Sequence, residues 1–254
     1  MKKFFLLFSL MVVSLAVVSC GSDEDEPNYA NQTMVAGDTY TIPGKIKDWT
    51  SDNDLIASVS NGIVTAERVG ETYIRSGAKS FKVTVTGKYN TYKEPYMQWG
   101  ASKSTVKSSM SGYTLSSETS EILIYKGNYP VSLIGYSFKN DALQLSSVII
   151  PITSVSMDEL VDFMMERYVY VTKDEDNSYF GFATADKKSV VILQIETISN
   201  TLVYFISYGS ANTSNAPAQT LKMMKLQIDP LSVNKSSEAK QAYKQMLDIM
   251  PEIH

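Results

Sequence analysis

Apolar residues follow two different patterns along the chain, and the first extends from residue 30 to residue 87. Short runs rich in β-branched and aromatic residues alternate there with turn residues, which is typical of β-strands. The Asn61-Gly62 pair tolerates positive φ at low cost and predicts a tight hairpin. We therefore expect a small β-sandwich over residues 30–87. Its six strand candidates are Met34–Val35, Thr39–Ile42, Ile56–Val59, Ile63–Ala66, Thr72–Ile74 and Phe81–Val85.

The second pattern covers residues 98–254, after a polar, proline-ended stretch at residues 88–97 that we interpret as a linker. Ser102–Met110 predicts a short helix, and the capping box that begins at Ser156 predicts another. Because three strand candidates follow each helix, the pattern predicts two helix-plus-meander repeats with the helices on one face of an antiparallel sheet. The strand candidates are Glu121–Tyr125, Val131–Phe138, Ala142–Ile150, Tyr179–Thr184, Val190–Glu196 and Leu202–Tyr208.

The last part of the chain adds two elements to this α+β domain. Gln219–Ile228 is a further strand candidate, and Ser236–Met250 carries apolar residues at helical spacing along one side. We expect this helix to pack against its own domain, with docking on a partner as the alternative. The expected fold class is thus mainly β / α+β.

The amino terminus has the three parts of a secretory signal: two lysines, an apolar run from Phe4 to Val18 and a small residue before Cys20. The run is shorter than the roughly 20 residues of a spanning helix. Val17-Val18-Ser19-Cys20 resembles the lipobox of bacterial lipoproteins. The resemblance implies that residues 1–19 are a removed signal peptide and that the sulfur of Cys20 carries a lipid anchor. An unmodified cysteine in an ordinary signal peptide is the alternative.

Residues 20–29 follow as an acidic tether, with the run Ser22-Asp23-Glu24-Asp25-Glu26 at its centre. Such a tract does not pack and acts at least as a flexible spacer. Its position also resembles the acidic export signal of surface lipoproteins in one Gram-negative phylum. This implies an outer-membrane lipoprotein exposed on the cell surface, with a periplasm-facing anchor as the alternative.

Composition narrows the range of partners. The 254-residue chain is 44% hydrophobic and 20% charged, as is usual for globular proteins. Removing residues 1–19 takes away Lys2 and Lys3 and no acid, so the 23 basic residues become 21 against 27 acidic ones, a formal charge of −6. The basic residues are also scattered along the chain, so we expect no nucleic-acid partner.

The reactive side chains exclude several chemistries. The only histidine is His254 and the only cysteine is Cys20. Serine and cysteine nucleophiles depend on a histidine base, and zinc and iron sites depend on His or Cys, so we expect no such site, no cofactor and no catalytic activity. Glu166 and Glu196 are candidates for a carboxylate pair, but we interpret them as surface charges. Asp174–Asn177 lacks the calcium-loop pattern and is interpreted as a hairpin tip.

Four segments of the first domain occur in a characteristic order: Trp49–Asn53, Ile56–Ala66, Val69–Ile74 and Phe81–Val85. In this order they resemble the bacterial immunoglobulin-like group 2 domain. The resemblance implies an immunoglobulin-like β-sandwich with Trp49 in its core. It also implies a spacer or adhesion module without a shared catalytic site. The short spacing between Ile74 and Phe81 departs from the family and favours a tight hairpin.

In the second domain, Trp99-Gly100-Ala101-Ser102 and Val106 lead into a helix and a meander. This resembles the helix-plus-meander repeats of β-lactamase-inhibitor-like proteins and of small outer-membrane assembly lipoproteins. The resemblance implies protein binding on the open face of the sheet, without contact residues that can be carried over.

These observations lead to one functional hypothesis and two alternatives. We expect a lipid-anchored, surface-exposed binding or adhesion protein in which the immunoglobulin-like domain is a spacer. The alternatives are an envelope assembly or inhibitor factor acting on a protein partner, and a glycan-binding lipoprotein. Expected partners are the membrane, through Cys20, and an extracellular or envelope protein or glycan. The 16 tyrosines suit strands, protein interfaces and sugar stacking, and glycan binding requires several of them on one exposed face.

Overall fold

A computed structural model describes residues 27–176, 178–211, 233–234 and 236–252. β-Strands are the main secondary structure of the described residues, which also form three helices, and this confirms the mainly β / α+β class. No helix among these residues is long and apolar enough to cross a membrane. The predicted signal peptide, Cys20, most of the acidic tether, the strand candidate Gln219–Ile228 and His254 lie outside the described residues.

The first unit, residues 27–87, contains seven strands in two sheets. One sheet has the order β1-β7-β6-β3, with β1 and β7 parallel, and the other has the order β2-β5-β4. All six predicted strands are present, and the two-residue β3 is the one that the pattern did not indicate. The strands are β1 (Gln32–Val35), β2 (Thr39–Thr41), β3 (Thr50–Ser51), β4 (Ala57–Ser60), β5 (Ile63–Ala66), β6 (Gly70–Ser76) and β7 (Lys79–Thr86).

Both sheets contribute to one apolar core. Val64 of β5 and Val83 of β7 are fully buried in the same cluster. Trp49 is buried in this cluster as well, and its ring lies 5.7 Å from that of Phe81 in edge contact. The predicted hairpin joins β4 to β5, and both of its central residues have positive φ, 53° at Asn61 and 76° at Gly62. The core position expected for Trp49 and the hairpin are therefore both confirmed.

The second unit is built on one antiparallel sheet of nine described strands. Eight of them follow the order β12-β13-β14-β15-β11-β10-β9-β8, and the ninth, β16, pairs with β14. Its elements are α1 (Lys103–Ser109), β8 (Leu115–Glu118), β9 (Ile122–Lys126), β10 (Leu133–Lys139), β11 (Ala142–Pro151), α2 (Met157–Arg167), β12 (Tyr168–Asp174), β13 (Tyr179–Thr184), β14 (Ser189–Ile198), β15 (Thr201–Ser210), β16 (Val233–Asn234) and α3 (Ser237–Ile249).

Three strands are predicted after each helix, but four follow α1, and four long strands and the two-residue β16 follow α2 among the described residues. The first addition, β8, is exposed along its whole length, so its sequence has no apolar alternation. The second, β12, starts at Tyr168, the residue that ends α2. Tyr168 has the helical spacing of Leu160 and Met164, so the apolar pattern alone does not distinguish it from the helix. Pairing of β11 with β15 joins the two groups of strands into a single sheet.

Each helix is capped by a serine and packs on the same face of the sheet. The hydroxyl oxygens of Ser102, Ser156 and Ser236 each accept a hydrogen bond from the backbone N–H three residues later, at 3.2 Å. Val106 of α1, Leu160 of α2 and Met246 of α3 are buried in one large core with alternate strand residues. The expected packing of the C-terminal helix against its domain is therefore confirmed.

The opposite face of the sheet has a smaller apolar cluster that includes Leu145, Ile192 and Phe205. These residues alternate along their strands with residues of the helix-side core, so they point away from the three helices. Polar side chains, among them Gln194 and Glu196, are buried on the same face.

Candidate functional site

Glu166, a candidate for a carboxylate pair, ties the linker to the second unit. It lies at the end of α2, and its two carboxylate oxygens accept the backbone N–H groups of Lys88 (2.8 Å) and Tyr89 (3.0 Å). Arg167 pairs with the same carboxylate and donates to the carbonyl of Tyr89 at 2.8 Å. Both side chains are close to nine-tenths buried. The Glu166 carboxylate is thus a structural acceptor and not a surface charge.

The hydrogen bonds of Glu166 and Arg167 to residues 88 and 89 form what we call the clamp, and the first unit contacts the second beside it. Three further hydrogen bonds join the units: Val69 N–H to the Glu166 carbonyl (2.9 Å), Arg68 Nε to the Tyr168 carbonyl (3.2 Å) and Asn53 Nδ2 to the Ala185 carbonyl (2.8 Å). Ala185 also belongs to the apolar core of the first unit. Gly87 fits here because a Cβ at this position would lie 2.6 Å from both Glu166 and Arg167 atoms. The contacts hold the two units together through backbone groups.

Glu196, the other carboxylate candidate, is buried on β14 beside Val203 of β15, on the sheet face away from the helices. Because α2 packs on the other face, the sheet separates Glu196 from Glu166. The structure therefore does not bring the two carboxylates together as a catalytic pair. Asp174 ends β12, and the turn before β13 contains Asn177, which lies outside the described residues.

Three tyrosine hydroxyls meet inside the helix-side core. Those of Tyr92 and Tyr208 are 2.5 Å apart, and Tyr168 donates to Glu94 and lies 3.4 Å from Tyr208. Burial is the main reason that the pKa of each of these tyrosines is raised well above the ordinary value. The cluster anchors the linker residues Tyr92 and Glu94 to β12 and β15.

Seven of the 16 tyrosines are buried, and these include Tyr92, Tyr168, Tyr204 and Tyr208. Tyr89, Tyr96 and Tyr170 pack partly buried against the same core. The tyrosine content is thus mainly a consequence of the core. Tyr129 differs from all of these because it is 84% exposed.

Tyr129 stands at the edge of a groove of about 500 Å³ in the second unit. The groove lies where the linker, the β9–β10 loop and the start of α2 meet, and it is half open to solvent. Its floor is made by the buried side chains of Tyr92, Val131, Ile134 and Val155. The volume is within the range of roughly 300–1,000 Å³ that is usual for small-molecule sites.

The β9–β10 loop is held in a tight conformation that presents Tyr129. The hydroxyl of Tyr129 donates to the carbonyl of Ser154 at 3.1 Å, and the Asn128 carbonyl accepts the Val131 N–H at 2.9 Å. Glycine is required at position 127, since a Cβ there would lie 2.6 Å from the Val131 side chain and carbonyl. The ring is therefore fixed in position although it is exposed.

Polar groups complete the walls of the groove. The side-chain amides of Asn90 and Asn128 line it, and its two charged residues, Lys93 and Glu159, are of opposite sign. Thr91 is only 6% exposed, and its hydroxyl has no hydrogen-bond partner within the described part of the chain. The arrangement is suited to a polar ligand without net charge that also has an apolar surface.

The sequence did not reveal this groove. The sequence pattern predicts only a linker over residues 88–97 and does not distinguish Tyr129 from the other tyrosines. The one local signal is Gly127-Asn128-Tyr129-Pro130, a turn-forming stretch with an aromatic residue between two strand candidates.

Within the described residues, no group of three or more His, Cys, Asp or Glu side chains is placed to hold a metal ion. Comparison of the chain with protein-family models, with curated proteins and with solved structures found no match.

Proposed function

We propose that the protein is a lipid-anchored, non-catalytic binding protein of the cell envelope, displayed on the outer surface. In this proposal the diacylglyceryl group on Cys20 holds it in the outer membrane, and residues 20–29 form the tether. The first unit acts as an immunoglobulin-like group 2 spacer. The second unit, interpreted as two helix-plus-meander repeats, binds the ligand.

The observation that carries the binding role is the groove beside Tyr129. An exposed aromatic ring whose hydroxyl is hydrogen-bonded, next to buried apolar residues and two asparagines, is a common composition for recognition sites. The positions of Glu166 and Glu196, the two candidates for a catalytic carboxylate pair, also support a binding role without catalysis. Glu166 is engaged by the linker, and Glu196 lies on the other side of the sheet.

The clamp at Glu166 supports the spacer role of the first unit. A spacer positions a binding domain only if the junction between them is firm, and here hydrogen bonds from Val69, Arg68 and Asn53 of the first unit to backbone carbonyls of the second unit connect the two. The buried Glu166–Arg167 pair of the second unit holds the linker beside them. The first unit has few large apolar side chains on its surface, and those that are exposed, such as Val35 and Ile63, are scattered singly in the sequence.

A second candidate is an envelope assembly or inhibitor factor that acts on a protein partner. It is favoured by β8 and β12, which lie at the two ends of the sheet among the described strands. Leu115 on β8 is 39% exposed and Val171 on β12 is 52% exposed, and a sheet edge with exposed apolar side chains is a place where another chain can add a strand.

Protease treatment of intact cells, combined with labelled-palmitate incorporation, tests the proposal. We expect labelling of the wild type that is lost in Cys20→Ala, and we expect external protease to remove the second unit while a periplasmic marker stays intact. Protection of the second unit with a labelled Cys20 would place it in the periplasm and favour the assembly or inhibitor role. Absence of label would refute the lipid anchor.

A further inference from the structure

We propose that the groove beside Tyr129 binds a neutral oligosaccharide. The proposal rests on the binding role given to the second unit and adds the chemical class of the ligand. Sugars have apolar C–H faces that stack on aromatic rings and equatorial hydroxyls that need amide or hydroxyl partners. The groove has both kinds of group within one space of about 500 Å³.

The aromatic component comes from Tyr129, with Tyr113 on the groove wall. Tyr129 is the most exposed of the large hydrophobic and aromatic side chains in the described residues. Its hydroxyl is engaged by the Ser154 carbonyl, so the ring is held in place and little conformational entropy is lost when a ligand stacks on it.

The polar component comes from the linker and from the loop. Asn90 and Asn128 present amides, each with donors and an acceptor, as a sugar hydroxyl requires. Thr91 provides a separate observation, because its buried hydroxyl has no partner in the part of the chain that is described. Buried polar groups are almost always hydrogen-bonded, so an unpaired one at the wall of a groove indicates a place where a polar ligand gains a bond.

The charges of the lining favour a neutral ligand over an acidic one. Lys93 and Glu159 have opposite charges, and Glu159 belongs to the first turn of α2 together with Asp158. The acidic side chains of this turn interact favourably with the helix dipole and repel an anion that approaches it. A phosphate- or uronate-bearing ligand would therefore have no net attraction to the site.

The test is a titration of the full chain, solubilised in a phosphocholine detergent that contains no sugar. The probes are tetrasaccharides of glucose, mannose, galactose and N-acetylglucosamine, with a galacturonate tetrasaccharide as the acidic comparison, followed by saturation-transfer NMR. We expect at least one neutral probe to bind. Tyr129→Ala should weaken that binding at least about tenfold, whereas Tyr129→Phe, which keeps the ring, should retain it within about threefold.

Tyr73→Ala is the matched control, because Tyr73 is an exposed tyrosine of the first unit and lies outside the groove. It should leave binding unchanged, and circular dichroism should show that all variants fold. The proposal is overturned if no neutral probe binds, if the galacturonate probe binds better than every neutral one, or if Tyr129→Ala binds like Tyr73→Ala. Those outcomes leave the lipid anchor and surface location intact, since the palmitate and protease experiments test them separately.

Discussion

Removing the Glu166 carboxylate should lower the free energy of unfolding of both units. In Glu166→Ala, the backbone N–H groups of Lys88 and Tyr89 lose their acceptor, and Arg167 is left as a largely buried charge without its partner. A hydrogen bond to a charged group contributes about 1.5–3 kcal/mol. Removing one partner of a buried ion pair costs about 3–5 kcal/mol. The two figures describe overlapping interactions and are not added, so the expected loss is about 3–5 kcal/mol.

The two tryptophans allow each unit to be followed separately. Trp49 is in the core of the first unit, and Trp99, whose indole N–H donates to Ser189 at 2.9 Å, packs on the core of the second. Urea unfolding is measured by fluorescence in Trp49→Phe and Trp99→Phe backgrounds, each with and without Glu166→Ala. Because the clamp joins both units, we expect both signals to shift to lower urea.

Two further variants serve as controls for this measurement. Glu166→Gln keeps one carbonyl acceptor but places an NH₂ group against the other backbone N–H, so we expect an intermediate loss. Glu71→Ala removes an exposed ion pair with Lys82 and should leave both midpoints unchanged. The reasoning is refuted if Glu166→Ala costs less than about 1 kcal/mol, or if it shifts the signal of only one unit.

Two other predictions concern the buried tyrosines. Tyr208→Phe leaves the hydroxyl of Tyr92 without its partner at 2.5 Å, and we expect a loss of about 1–3 kcal/mol in urea unfolding. Tyr204→Phe, a change of a similarly buried ring outside this cluster, should cost less. Burial raises the pKa of Tyr92, Tyr168 and Tyr208 well above 10.0, so above that pH the unfolded chain binds fewer protons than the folded one. Stability is therefore complete below about pH 10 and falls as the pH rises further. The last part of the absorbance change at 295 nm should then coincide with the loss of far-UV circular dichroism, and full tyrosine ionisation in a folded chain would contradict this.

The local patterns were sufficient to place most strands and helices. Asn61-Gly62 forms the predicted hairpin, and Ser156 caps the predicted helix, because these features depend on backbone preferences within four residues. The pattern failed where local signals conflict with pairing. The exposed strand β8 is held by its hydrogen bonds to β9 and not by burial, so its sequence carries no alternation.

The candidate site could not be predicted in the same way. Glu166 meets Lys88 and Tyr89, more than 75 residues away in sequence, and the groove combines residues from the linker, the β9–β10 loop and α2. Tyr129 and Tyr208 are the same residue type in strand-rich surroundings, yet one is 84% exposed and the other fully buried. The face of a sheet to which a residue points follows from the local alternation along its strand. Which segments cover that face depends on contacts between distant parts of the chain.

The sequence by itself thus determined most of the secondary structure, the single histidine and the single cysteine, because these are properties of residues and of short segments. Only the tertiary structure decided that the nine described strands of the second unit share one sheet, that Glu166 serves as a clamp, that Glu196 lies on the other face, and that one tyrosine of 16 stands exposed beside a polar groove. These outcomes follow from contacts between distant segments, whose geometry is set by packing and hydrogen bonding of the whole domain.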